Sequence, residues 1–243
     1  MKELIPKLKE WFDSCTLEEL LKYFLDEYGD KIALASSLGA EDQVLTDIIL
    51  KIKPDARIFI LDTGRLPQET YATLTANRRY FGRGFEVYFP DTAAVEAMES
   101  EHGPDLFYES IANRHRCCEI RKVKPLQRVL GTLDVWITGL RREQAVTRTD
   151  LRRIEWDESN GLIKLNPLAD WNTEQVWSYI RSRQIPVNPL HESNYPSIGC
   201  APCTRAINPG EDLRAGRWWW EEPEHKECGL HIRDGKLMQR SGR

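Results

Sequence analysis

No run among the 243 residues approaches 18 consecutive apolar side chains, which excludes a transmembrane helix. The first residues, MKELIPKLKEWFDS, are charged throughout and lack a central apolar stretch, so no secretory signal is expected. Compositional bias is missing too. The 15 Gly and 13 Pro are dispersed, which excludes collagen-like and linker-like chains. No internal repeat is visible. No long basic run occurs and the net charge is −4, so neither a nucleic-acid partner nor a membrane is expected. Six cysteines are too few for a disulfide scaffold in a chain of this length. In the reducing, cytoplasmic setting expected here they point to a metal site or redox chemistry.

With 41% hydrophobic and 30% charged residues, the composition is that of a globular chain able to bury one large core. The halves differ in charge. Residues 1–112 hold 12 basic and 21 acidic side chains, and residues 113–243 hold 22 and 17, so a local anion site is expected in the second half. Thr16 with Glu19 forms a capping-box pattern that opens a helix ending near Tyr28. KIALAS (31–36), RIFIL (57–61), FEVYF (85–89) and VWIT (135–138) read as strands. Helical segments fall between them at 39–52, 67–81, 92–101 and 116–130. LIKLNPL (162–168) reads as a short edge strand closed by Pro167, and Asn172 with Gln175 caps a last helix to about Arg183. This alternation predicts an α/β fold with a doubly wound, mostly parallel sheet. The chain then divides into an N-terminal helical segment (1–29), an α/β nucleotide-binding core (30–185), and a cysteine-bearing loop with an irregular C-terminal tail (186–243), all of one domain.

Two turns at the carboxyl edge of the sheet carry polar residues where ligands bind in such folds. In SSLGAED (36–42), Ser36 and Ser37 offer hydroxyls, Gly39 allows close backbone approach, and the following helix offers its N–H groups to an anion. In LDTGRL (61–66), Asp62 and Thr63 could meet a ribose or base edge, with Gly64 making the turn. An ordinary tight turn explains each motif equally well; the two together favour a nucleotide crevice. GLRREQAVTR (139–148) follows the fourth strand at the same edge. Arg141, Arg142 and Arg148 there suit an oxyanion clamp, to which Arg214 and Arg217 could add. Trp218, Trp219 and Trp220 are expected to pack against the body, and His191 to be structural or solvated.

Cys117 and Cys118 are adjacent, while Cys200 and Cys203 form a distant CxxC. Four thiolates brought together would bind an iron–sulfur cluster or zinc; reduced structural or redox thiols are the remaining reading. Adjacent cysteines on a helix diverge by about 100°, which suits a bulky cluster better than one tetrahedral ion. Arg121 and Lys122 stand four residues on from the pair, placed to offset an anionic centre or reach a bound anion. Cys228, in KECGLHIRDGK (226–236), has Lys226, His225 and His231 nearby, which favours its thiolate. Cys15 reads as structural.

Taken in order, SSLGAED, LDTG, RCCEIRK, GLRREQ, GCAPCTR and ECGLH resemble the phosphoadenylyl-sulfate reductase family, in its iron–sulfur adenylyl-sulfate reductase branch. The motifs span residues 36–231. The resemblance implies an adenine nucleotide alpha-hydrolase-like sheet. It implies one 4Fe–4S cluster on Cys117, Cys118, Cys200 and Cys203, and Cys228 as nucleophile. Ser36, Ser37 and Gly39 would line the phosphate side, and Leu61, Asp62, Thr63 and Gly64 the adenosine side. Lys122, Arg141, Arg142, Arg148, Arg214 and Arg217 would hold the phosphosulfate. The implied reaction is reduction of adenylyl sulfate to sulfite and AMP, with thioredoxin or a glutaredoxin-like dithiol as reductant, and homo-oligomers are common in the family. Relatives that use the 3′-phosphorylated substrate usually lack both cysteine pairs. Relatives that cleave ATP carry an SGGxDS-type loop, whereas SSLGAED lacks its double glycine and terminal serine. The alternatives are therefore a phosphoadenylyl-sulfate reductase, a non-catalytic iron–sulfur sensor, or an ATP pyrophosphatase-type enzyme.

Overall fold

The mainly apolar strands 32–36 and 57–61 pair in parallel near the centre of a six-stranded sheet. The computed structural model describes residues 2, 3, 5, 11, 12, 14–144 and 150–222. In chain order the main elements are α1 (Leu17–Tyr28), β1 (Ile32–Ser36), α2 (Ala40–Ile52), β2 (Arg57–Leu61), α3 (Gln68–Tyr80), β3 (Glu86–Tyr88) and α4 (Thr92–His102). There follow α5 (Ile111–Cys118), a π-helical turn (Glu119–Val123), α6 (Lys124–Leu130), β4 (Val135–Ile137), β5 (Ile154–Asp157), β6 (Leu162–Leu165) and α7 (Thr173–Arg183). The strand order is β3-β2-β1-β4-β6-β5, and all neighbours are parallel except β5 against β6.

Side-chain alternation along the strands builds two apolar layers. Ile32 and Leu34 of β1 face one side with Ile58, Val135 and Ile163, where α1, α2 and α7 cover them. Ala33, Phe59 and Trp136 face the other side, under Leu126, Val129 and Leu130 of α6. Both expected capping boxes form: the Thr16 hydroxyl accepts from the Glu19 N–H, and the Asn172 side chain accepts from the Gln175 N–H. Each cap contributes about 1 kcal/mol to its helix. Because strand order reverses between β1 and β4, the loops after these strands diverge and leave a crevice at the carboxyl edge.

Two expectations need correction. The segment 162–165 is not an edge strand. It lies between β4 and β5, fully buried, and β5 takes the edge. Lys164, whose charge suggests exposure, is paired with Glu155 of β5 at 3.1 Å and lies over the Trp136 ring of β4. The helix carrying the cysteine pair starts at Ile111 rather than near 116, so Cys117 and Cys118 end α5 instead of opening a helix. Among the described residues no helix is long and apolar enough to cross a membrane.

Candidate active site

A cleft of about 480 Å³ opens at the crevice. Its walls include Ser36, Ser37 and Gly39 after β1, Leu61 and Thr63 after β2, and Thr138, Gly139 and Arg141 after β4. Lys122, Arg214 and Arg217 add positive charge. Eight of the expected contact residues besides Thr63 thus meet in one place: Ser36, Ser37, Gly39, Leu61, Lys122, Arg141, Arg214 and Arg217.

The loop after β1 is held by local bonds. The Ser37 N–H and hydroxyl donate to the Asp42 carboxylate at 2.6 and 2.7 Å, and the Leu38 N–H donates to the Ser36 hydroxyl at 3.1 Å. Leu38 has φ +63°, a left-handed conformation that costs a leucine roughly 1–2 kcal/mol. It is 1% exposed, so its buried side chain offsets that strain. Gly39 supplies the N-cap of α2 without a side-chain hydrogen bond, which leaves the helix N-terminus facing the cleft for an anion.

Asp42 is buried behind this loop, and burial pushes its carboxyl up to about 6, against the hydrogen bonds from Ser37 and Gly139. A Cβ on Gly139 would collide with the same carboxylate, so glycine is required there by close approach. The folded protein holds the Asp42 proton up to about pH 6, whereas an exposed aspartate releases it near 3.8. The contribution is therefore most favourable below about pH 3.8 and declines as pH rises through 6, by about 3 kcal/mol in all. Asp42→Asn removes this slope while keeping an acceptor for Ser37. Its unfolding free energy relative to the parent should rise between pH 4 and 7, and a constant difference across that range would refute the assignment.

Several expected residues lie elsewhere. Asp62 accepts from the Gly64 N–H at 2.8 Å and from the Tyr71 hydroxyl at 2.9 Å, so it holds the turn and does not face the cleft. Gly64, at φ +72°, makes that turn. The Arg142 guanidinium is directed to the Leu151 carbonyl at 2.7 Å and pairs with Asp170, away from the cleft. Arg141 is buried between the carboxylates of Glu41 and Glu143, each at 2.9 Å, which offsets much of its charge. Arg148 and Cys228 lie outside the described residues. Trp218 is buried as expected, and Trp220 packs on Tyr108 and Phe107. The sequence reading missed His191 and Trp177, which line the cleft from the far side. Neither sits in a motif that signals ligand binding.

The four paired cysteines line a second, smaller cleft with Arg65, Arg114 and Arg121. Cys200 and Cys203 sit on a tight turn in which the Cys203 N–H donates to the Cys200 carbonyl at 3.0 Å. This turn is tied to the sheet edge by the Ala201 N–H, which donates to the Arg65 carbonyl at 2.8 Å. Opposite it, the π-helical turn after Cys118 changes the helical phase and buries Cys117 and Arg121 together. Arg121 is fixed by the Thr63 carbonyl at 2.8 Å and by Glu99. Burial pushes the Cys117 thiol up, against the pull of Arg121, and pushes Cys203 up to about 12. Burial thus disfavours the thiolate at both when no group is bound. Among the described residues no three Cys, His, Asp or Glu donors converge on a single metal-ion position. The clefts touch: Thr63, Lys122 and Cys200 belong to both, and the Thr63 hydroxyl lies 3.2 Å from the Cys200 sulfur.

Residues 31–206 match the family model described as the phosphoadenosine phosphosulfate reductase domain. An adenosine 5′-phosphosulfate reductase of Allochromatium vinosum is 55% identical over 205 residues, covering 84% of this chain and 80% of that protein. One from Burkholderia cepacia is 52% identical over 208 residues, covering 86% and 83%. Among solved structures, a phosphoadenylyl-sulfate reductase from Candida auris, in its phosphate complex, superposes with a TM-score of 0.73 at 27% identity. That match covers 85% of this chain and 98% of the other. Yeast FAD synthetase shares the fold, with a TM-score of 0.54 at 13% identity over 79% of this chain and 66% of that one.

Proposed function

Since the chain belongs to the phosphoadenosine phosphosulfate reductase family, we propose that it reduces adenylyl sulfate to sulfite and AMP in sulfate assimilation, with a dithiol protein of the thioredoxin type as reductant. The observation that carries this reading is the wall of Thr63, Lys122 and Cys200 shared by a nucleotide-sized cleft and a four-cysteine cleft. A sensor needs no such junction with an anion-binding cleft. The relatives at 55% and 52% identity, both adenosine 5′-phosphosulfate reductases, favour the substrate without a 3′-phosphate.

Cys117, Cys118, Cys200 and Cys203 would hold one 4Fe–4S cluster. The donor set fits by its chemistry: four thiols line one cleft, and Arg65, Arg114 and Arg121 border it, a thiolate set and positive surroundings that suit an anionic cluster. Bound there, the cluster would tie the Cys117–Cys118 and Cys200–Cys203 segments together and supply an electrostatic field beside the substrate; the reaction needs no electron from it.

The chemistry belongs to Cys228. Its thiolate attacks the sulfonate sulfur of adenylyl sulfate, the S–O bond to the phosphate breaks, and AMP departs with the electron pair, leaving S-sulfocysteine. A thiolate of the reductant then attacks the Cys228 sulfur and expels sulfite, forming a mixed disulfide. The second thiol of the reductant resolves that bond, so Cys228 returns to a thiol and the reductant leaves as a disulfide. Lys122, Arg214 and Arg217 would hold the phosphosulfate and stabilise charge developing on AMP. The α2 N-terminus would receive the phosphate.

Anaerobically prepared protein, with about four irons per chain, should take label from sulfur-labelled adenylyl sulfate onto Cys228 and release equimolar AMP. Adding the dithiol should liberate the label as sulfite. A preparation that binds the nucleotide but gains no label would sink the reductase reading, and labelling only by the 3′-phosphorylated substrate would move the specificity.

A further inference from the structure

His191 stands in the cleft wall with a ring nitrogen that meets no hydrogen-bond partner among the described residues. It is carried by a 3-10 turn (Pro189–Ser193) whose geometry is closely determined. Asn188 caps the turn, accepting from the Leu190 N–H at 3.0 Å, and its amide donates to the Thr70 hydroxyl at 3.0 Å. The Trp177 ring meets the imidazole edge-to-face at 5.4 Å and fixes its plane. Nδ1 lies 2.9 Å from the Tyr195 carbonyl oxygen. A carbonyl only accepts, so Nδ1 carries the proton and Nε2 is the acceptor of a neutral ring. Nε2 is screened from solvent and has no hydrogen-bond partner among the described residues, although His191 borders the cleft. Burial lowers the pKa of the ring, against the Tyr195 carbonyl and the Glu41 charge, which favours the neutral form.

A buried acceptor without a donor is costly, and native proteins rarely keep one for packing alone. We propose that His191 Nε2 accepts a hydrogen bond from a donor on the bound nucleoside, either a ribose hydroxyl or the adenine amino group. His191 is then a substrate-binding residue that reads the nucleoside and stays apart from the sulfur chemistry. This rests on the nucleotide reading of the cleft.

The test is equilibrium binding of AMP, 2′-deoxyAMP, 3′-deoxyAMP and purine riboside 5′-monophosphate to the parent protein, His191→Phe and His191→Gln. Phenylalanine keeps the ring packing on Trp177 and deletes the acceptor; glutamine returns an acceptor near Nε2. His191→Phe should bind AMP about tenfold more weakly than the parent. One analogue, lacking the group that donates to Nε2, should bind the parent and His191→Phe equally, and its identity names the donor. His191→Gln should recover part of the lost affinity. Near-parental binding of that analogue to His191→Phe also shows that the variant is folded. Should that variant not fold, the parent's analogue panel and His191→Gln decide the matter alone. Equal AMP affinity in all three proteins, or equal losses for every analogue, would overturn the proposal. Failure of the parent protein to bind AMP at all would instead remove the nucleotide reading beneath it.

Discussion

Replacing Cys228 with serine should reduce turnover of adenylyl sulfate by at least about 10³-fold, to below detection, while iron content, visible absorbance and AMP binding stay at parental values. The serine hydroxyl stays a neutral alcohol at pH 7, whereas a thiol, with its far lower ordinary pKa, yields the thiolate nucleophile much more readily. An O-sulfonated serine, even if it formed, offers the reductant no sulfur of the enzyme to attack. The split between lost turnover and retained absorbance is the informative part. Among the paired cysteines, Cys117 and Cys203 are buried and burial pushes both thiols up, that of Cys203 to about 12, so neither is a ready substitute nucleophile. If iron is lost with Cys228, the tail thiol is a ligand and the assignment of roles is wrong. If turnover survives, the nucleophile lies among the remaining five cysteines.

Arg114→Leu should cost about 3–5 kcal/mol of folding stability. Arg114 lies on α5, three residues before Cys117, and is wholly buried. Its guanidinium makes two parallel bonds to Glu221, at 2.9 and 2.8 Å, and lies 4.9 Å from the Trp218 ring centroid. Glu221 is almost as deeply buried, so removing the arginine leaves a carboxylate with neither solvent nor counter-charge. The pair joins the cysteine-bearing helix to the chain just before the segment that carries Cys228. The urea midpoint of the anaerobic protein should fall in Arg114→Leu. Replacing both Arg114 and Glu221 with leucine should recover most of the loss, because the double variant buries no lone charge. A single variant that loses less than about 1 kcal/mol would show that the pair is wetter in solution than in this structure.

Local chemistry made much of this protein legible before any coordinates. RIFIL is a strand over 57–61 as expected, since the four apolar, β-compatible side chains Ile58 to Leu61 between turn residues leave little alternative. Thr16/Glu19 and Asn172/Gln175 start helices because capping satisfies backbone N–H groups within one turn of chain. The edge placement expected for 162–168, closed by Pro167, failed for the opposite reason. Lys164 is tolerated in a buried strand only because Glu155 and Trp136 arrive beside it from neighbouring strands, and cross-strand neighbours are not adjacent in sequence.

The site divides along the same line. The residue types and spacings of the cysteine pairs, the loop after β1 and the arginine-rich loop after β4 come from short stretches of chain, so the sequence alone named them as candidates. Whether the two cysteine pairs face one cleft depended on the turn at Ala201 bonding to Arg65 and on the π-helical turn that buries Cys117 with Arg121. Neighbouring arginines 141 and 142 were equivalent on paper. Folding sent one into the cleft wall between two carboxylates and the other to Leu151 and Asp170. His191 became a candidate only when Trp177 and the Tyr195 carbonyl fixed its ring and left one nitrogen without a partner among the described residues. Local propensity and residue chemistry act over a few bonds and can be read along the chain; direction, burial and pairing are set by groups that meet only after it folds.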